Sequence, residues 1–94
     1  MEIIWRRVAL SDLEEIRRFI ARDNPNAGAH VRSAIRAAVE RLTDHPNLGR
    51  PGRVQGTREL VVAGTPYIIA YRVLADRLRI LSVLHGARRW PDQF

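Results

Sequence analysis

A chain of 94 residues, 46% of them hydrophobic, has room for one small domain, residues 1–94, around a modest core. Its longest run without a charge, Leu60 to Tyr71, spans 12 residues and is broken by Gly64-Thr65-Pro66, whereas a membrane-spanning helix needs roughly 18 apolar residues. The chain holds no cysteine, which excludes disulfides and thiolate metal sites, and its formal charge is +6, with every basic side chain an arginine.

Glu2-Ile3-Ile4-Trp5-Arg6 predicts a short first strand. Met1 leads straight into it without the basic segment and small-residue cleavage site of a secretory peptide, so a soluble, cytoplasmic protein is expected. Ser11-Asp12-Leu13-Glu14 has the spacing of a capping box, with serine at the cap and glutamate three residues on, and predicts a helix start at Ser11. Leu13, Ile16 and Ile20, with Phe19 beside them, form its expected buried stripe, while Glu14 and Arg18 stand four apart on another face. Asn24-Pro25 ends this helix and caps the next, because proline is tolerated in a first turn and not in an interior. Ala27, Val31, Ala34, Ile35, Ala38 and Leu42 give the second helix its apolar face. Its alanines allow close approach, and residues 11–44 read as a helical hairpin.

After Asp44-His45-Pro46 the helical period disappears, and the glycine-rich stretch from Asn47 to Gly56 reads as a loop. Alternation takes over in Arg58-Glu59-Leu60-Val61-Val62, in Tyr67 to Val73 and in Leu78 to Leu84. Gly64-Thr65-Pro66 and Leu74-Ala75-Asp76-Arg77 are short enough to be hairpin connections. The expected fold class is α+β, in the order β-α-α-β-β-β, with the helical hairpin packed on one face of a small antiparallel sheet. The other face is expected to be partly open, and Trp90 and Phe94 in the tail need somewhere to dock.

Charge is distributed unevenly. Residues 1–47 set eight arginines against seven acids, while residues 48–94 set eight against three. Such a field favours an acidic macromolecular partner by speeding and orienting encounter. Arg50, Arg53, Arg58, Arg72, Arg88 and Arg89, with Trp90 as a possible anchor, are the candidate binding surface. Gly49-Arg50-Pro51-Gly52-Arg53 lacks the closing Lys-Ser/Thr of a phosphate-binding loop and does not run into a helix. Tyr67 and Tyr71 share a strand face and are open to two readings, stacking a base or packing in the core. His85 can carry or release a proton near neutral pH, or simply end the last strand. His30 and His45 have no second ligand at metal-binding spacing and read as surface residues. No cofactor or metal is implied.

Taken together, the element order, Trp5…Ala9…Asp12-Leu13…Ile16…Ile20, Asn24-Pro25, Gly49-Arg50…Arg58-Glu59-Leu60, Tyr67…Tyr71-Arg72-Val73 and Ile80-Leu81…Val83…His85-Gly86-Ala87-Arg88 resemble the RelE/ParE superfamily of bacterial toxins over nearly the whole chain. The resemblance implies the toxin of a type II toxin–antitoxin module, neutralised by a ParD- or RelB-like antitoxin that wraps an extended or helical segment around it. The open sheet face and the surplus positive charge suggest that this segment is acidic and amphipathic.

Two branches of the superfamily use different chemistry. RelE-type members cut messenger RNA on the ribosome, which requires a proton acceptor, cations for the developing phosphorane charge and a proton donor for the leaving oxygen. Aligned on Tyr67-Ile68-Ile69-Ala70-Tyr71, this chain offers Glu59 and Val61 where those cleavers have lysines, and Ile68 where they have an arginine. Only Arg88 keeps its place. The resemblance therefore points to the ParE-type branch, which poisons DNA gyrase by binding it. The alternative is a ribosome-dependent endoribonuclease in which His85 and Arg88 would be catalytic.

Overall fold

The computed structural model describes residues 1–94. Strand β1 (Glu2–Trp5) is followed by helices α1 (Arg7–Ala21) and α2 (Pro25–Arg41), and then by strands β2 (Arg50–Pro51), β3 (Arg58–Val61), β4 (Tyr67–Val73) and β5 (Arg77–His85). The sheet order is β1-β5-β4-β3-β2. The last four strands pair antiparallel, but β1 lies parallel to β5, with Glu2 opposite Arg77 and Trp5 opposite Ile80. The expected helical hairpin and meander are present. Two features go beyond that expectation: the parallel edge strand, and the two-residue β2 inside the stretch expected to be all loop.

Helix α1 begins at Arg7, one turn before the expected Ser11, and its N-cap Arg6 makes no side-chain capping bond. The start is set by the sheet. Arg6 donates its amide to Ile80 O as the chain leaves β1, so the helix begins as soon as pairing stops. Glu14 consequently lies inside the helix, where Arg17 binds it at 2.6 Å and Arg18 at 3.4 Å. Hydrogen bonding from Arg17 holds the Glu14 carboxyl below the usual carboxylate range. The α2 cap is as expected, with Asn24 Oδ1 accepting from the Ala27 amide at 3.1 Å and Pro25 opening the helix. Close approach of the two helices rests on Gly28 as well as on alanines, since a Cβ there would stand 2.7 Å from Arg17 O.

The core lies between the hairpin and one sheet face. Ala9, Leu13, Ile35, Ala38, Val39 and Leu42 meet Leu60, Tyr67, Ile69, Tyr71, Leu78, Ile80 and Val83. In β5 the inward residues are spaced by two and then by three because the register shifts at Ala70/Tyr71, leaving Leu81 as the extra residue between Ile80 and Ser82. Phe19 is not part of this core; it is 60% exposed, and the buried stripe of α1 runs through Ala9 and Leu13, with Ile16 and Ile20 packed at its margin.

The second sheet face is partly open, as expected: Val61, opposite Ile68, is 49% exposed and Arg79 is exposed, but the centre of the face is covered. Glu59, Ile68, Ala70 and Leu81 point away from the helices yet are at most 6% exposed. Their cover comes from the turn after β2 and from the C-terminal segment. Gly86 sits against Ile68, and Trp90 stacks on Arg53, which itself pairs with Glu59.

Candidate functional site: an α1/β5 groove and a carboxylate-anchored strap

Strand β1 pairs with only the first half of β5, so the edge of β5 beyond Ile80 lies open beside α1. Asp12 closes part of it: its carboxylate accepts the Val83 amide at 3.0 Å and the Ser82 hydroxyl. The capping-box reading gave Asp12 no role of its own. Further along, α1 and the end of β5 leave a groove of about 380 Å³, lined by Asp12, Glu15, Ile16 and Phe19 on one side and by Tyr67, Val83, Leu84, His85, Ala87 and Arg88 on the other.

His85 stands at the end of this groove. Its ring meets Tyr67 edge to face at a centroid distance of 5.6 Å, and its Nδ1 accepts the Ala87 amide at 3.0 Å. The Arg88 amide returns to His85 O at 3.1 Å. The imidazole therefore shapes the turn that leaves β5, with Nε2 as its remaining polar atom. Arg88 lines the same groove, so the two residues expected to act together in a ribonuclease do share a site.

The other candidate arginines do not form one platform. Arg58 faces the helices, where its guanidinium donates to Gly49 O at 2.6 Å. Arg72 lies on the second face directly opposite Arg79, and its nearest acceptor is Gln55 O at 3.5 Å. Arg50 and Arg53 converge on Glu59: Arg50 Nη2 reaches Oε1 at 3.2 Å, and the Arg53 amide donates to Oε2 at 2.7 Å. Arg53 also lays its guanidinium over the Trp90 ring, 3.9 Å from the centroid, and Trp90 meets Phe94 edge to face. Trp90 is thus docked within the chain. Arg88 and Arg89 are exposed and have no acidic partner within 4.0 Å.

Tyr67 and Tyr71 are both core residues, which removes the base-stacking reading. The Tyr71 hydroxyl donates to Pro46 O at 2.8 Å and accepts the Gly49 amide at 2.9 Å, tying the loop before β2 to the sheet. Burial pushes this phenol above its usual range, partly opposed by the Gly49 hydrogen bond and by Arg58. A folded-state value above the unfolded one means that the unfolded chain releases its proton first as pH rises. Stability is therefore expected to hold up to about pH 10 and to fall above it, a limb that Tyr71→Phe removes in urea melts across pH 9–11.

A sequence model of the ParE toxin of type II toxin–antitoxin systems matches residues 3–90. The chain belongs to the ParE toxin family. The Y4kP protein of Sinorhizobium fredii (strain NBRC 101917 / NGR234) is 47% identical over 90 residues, covering 96% of this chain and 93% of the relative. In the chromosomal ParDE toxin–antitoxin system from P. aeruginosa, a chain 28% identical superposes with a TM-score of 0.80, covering 88% of this toxin and 92% of that chain. The toxin–antitoxin complex RelBE2 from Mycobacterium tuberculosis gives a TM-score of 0.63 at 26% identity, covering 89% and 95%. The toxin is therefore the α+β RelE/ParE fold and the toxin component of a type II system, with a cognate antitoxin as its partner. No helix is long and apolar enough to cross a membrane.

Proposed function

We propose that this toxin acts by binding DNA gyrase and that its antitoxin neutralises it by seating an apolar segment in the α1/β5 groove. The observation that carries the target is Glu59. Where RNA cleavers of the superfamily have a lysine, this chain buries a carboxylate and neutralises it with Arg50 and Arg53, so those two cations face inward charge rather than a phosphate. Ile68, standing where the cleavers have an arginine, is 6% exposed. The match to ParE toxins supports the same branch. Among the candidate arginines, Arg88 and Arg89, with Arg72 on the second face, are neither tied to Glu59 nor turned toward the helices and are left to meet the target.

For the antitoxin, the groove is a better-defined seat than the partly open sheet face expected from the sequence. Ile16, Phe19 and Leu84 offer apolar surface, and the groove also carries Asp12, Glu15 and Arg88. An amphipathic segment with apolar anchors at helical or alternate spacing fits it.

With relaxed plasmid, purified gyrase and excess toxin, supercoiling is expected to fall and cleaved plasmid to accumulate, both reversed by antitoxin. Unchanged supercoiling at toxin excess sinks the gyrase reading. The juxtaposition of His85 and Arg88 in one groove supports a second reading, a ribosome-dependent messenger endoribonuclease. It predicts cleaved messenger in a translating extract, lost on His85→Ala.

A further inference from the structure

We infer that Glu59 is the positioning residue of the toxin's target-facing arginines, acting through Arg53 and Trp90 on a C-terminal strap; this rests on the reading that Arg88 and Arg89 meet the target. Glu59 is 2% exposed and cannot touch any partner itself. Its carboxylate nevertheless holds both ends of Arg53, accepting the backbone amide at 2.7 Å and facing Nε at 3.6 Å. Fixed in this way, the Arg53 guanidinium lies over the Trp90 ring, its Cζ 3.9 Å from the centroid. A guanidinium stacks on an indole face where an ammonium cannot match it in plane.

The strap is pinned at two points. Gly86 donates its amide to Pro66 O at 2.8 Å and lies against Ile68, and Trp90 is held by Arg53 and backed by Phe94. Only Ala87, Arg88 and Arg89 separate these anchors. A span this short, tied at both ends, restricts the backbone conformations that would otherwise scatter the two guanidiniums, so the backbone that carries them does not have to be ordered again on binding. Releasing the Trp90 end would leave both charges in the molecule but remove their fixed placement. The Trp90 Nε1 hydrogen is buried without an acceptor, which makes the stacked face, not the indole N–H, the basis of the anchor.

The experiment compares Glu59→Gln, Arg53→Lys, Trp90→Ala and Trp90→Phe in full-length toxin, by hydrogen exchange of residues 86–94 and by the toxin concentration that halves gyrase supercoiling. Glu59→Gln, Arg53→Lys and Trp90→Ala are expected to speed exchange in the strap and to weaken inhibition roughly tenfold. Trp90→Phe keeps an aromatic face under Arg53 and is expected to retain wild-type exchange and potency. Thermal melts identify any variant that loses the fold; Arg53→Lys and Trp90→Ala, outside the helix-packed core, then carry the test. Unchanged exchange in all four overturns the strap, and faster exchange with unchanged inhibition overturns the positioning role. A potency loss in Trp90→Phe without faster exchange also overturns it, because it would make the indole a direct contact. If wild-type toxin leaves gyrase untouched, the gyrase reading fails by itself, and growth arrest on expression without antitoxin replaces supercoiling as the readout of the same four variants.

Discussion

Asp12→Ala is expected to lower the unfolding free energy by about 2–3 kcal/mol, the upper part of the range of about 1.5–3 kcal/mol for hydrogen bonds to a charged group. The carboxylate closes the one stretch of β5 that β1 leaves unpaired, accepting the Val83 amide and the Ser82 hydroxyl from a helix that must lie at a fixed height above the strand. Alanine at this position leaves the Val83 amide and the Ser82 hydroxyl, on residues that are both buried, without their acceptor. In a domain of this size that loss corresponds to a fall in melting temperature of more than about 10 °C. Asp12→Asn retains an acceptor oxygen and is expected to recover about half of the loss. A melting temperature for Asp12→Ala within about 2 °C of wild type would show that solvent serves the edge equally well.

Tyr71→Phe is the second large effect, about 2 kcal/mol. The ring is fully buried, and its hydroxyl is the joint between the sheet and the segment running from Pro46 to Gly49. Phenylalanine fills the same space but leaves the Gly49 amide and the Pro46 carbonyl without a partner. Beyond the loss of stability, hydrogen exchange is expected to quicken over residues 46–51, since β2 pairs through only Arg50 and Pro51. Equal exchange in the two proteins would mean that β2 is held by the strand pairing and by Arg58 alone.

The fold class was legible because its elements carry strong local signals. Asn24-Pro25 marks the break between the helices, and the alternating runs from Arg58 onward mark a meander. The start of α1 was not legible, since Ser11 and Glu14 have capping-box spacing but the position is decided by where β1 stops pairing with β5, a contact between residues more than seventy apart. The same holds for Asp12, whose partners are 70 and 71 residues away. The phase shift at Leu81 was also hidden: an apolar residue on either side of a bulge satisfies the alternation equally well.

The candidate site was legible in composition and not in arrangement. His85 and Arg88 do share a groove, but the arginines expected to form a common platform divide between two faces, and Glu59, first weighed only as standing where the RNA cleavers have a lysine, proves to be the centre on which two of them converge. A signal was present in the sequence. A single carboxylate among the arginines of β3 and its preceding loop, on the strand face away from the helices, is either exposed or paired, and the arginines on both sides of it in sequence supply the partners. What no spacing rule could supply was the path of residues 86–94 back across the sheet.

The parallel pairing of β1 with β5 has a consequence for how a cell makes this protein. The opening strand has no neighbour until the closing strand emerges, so the sheet stays unfinished while the helical hairpin, whose contacts are local, can already assemble. The groove beside α1 lacks its second wall over the same interval. The seat for a partner beside α1 is therefore among the last features of the fold to be completed.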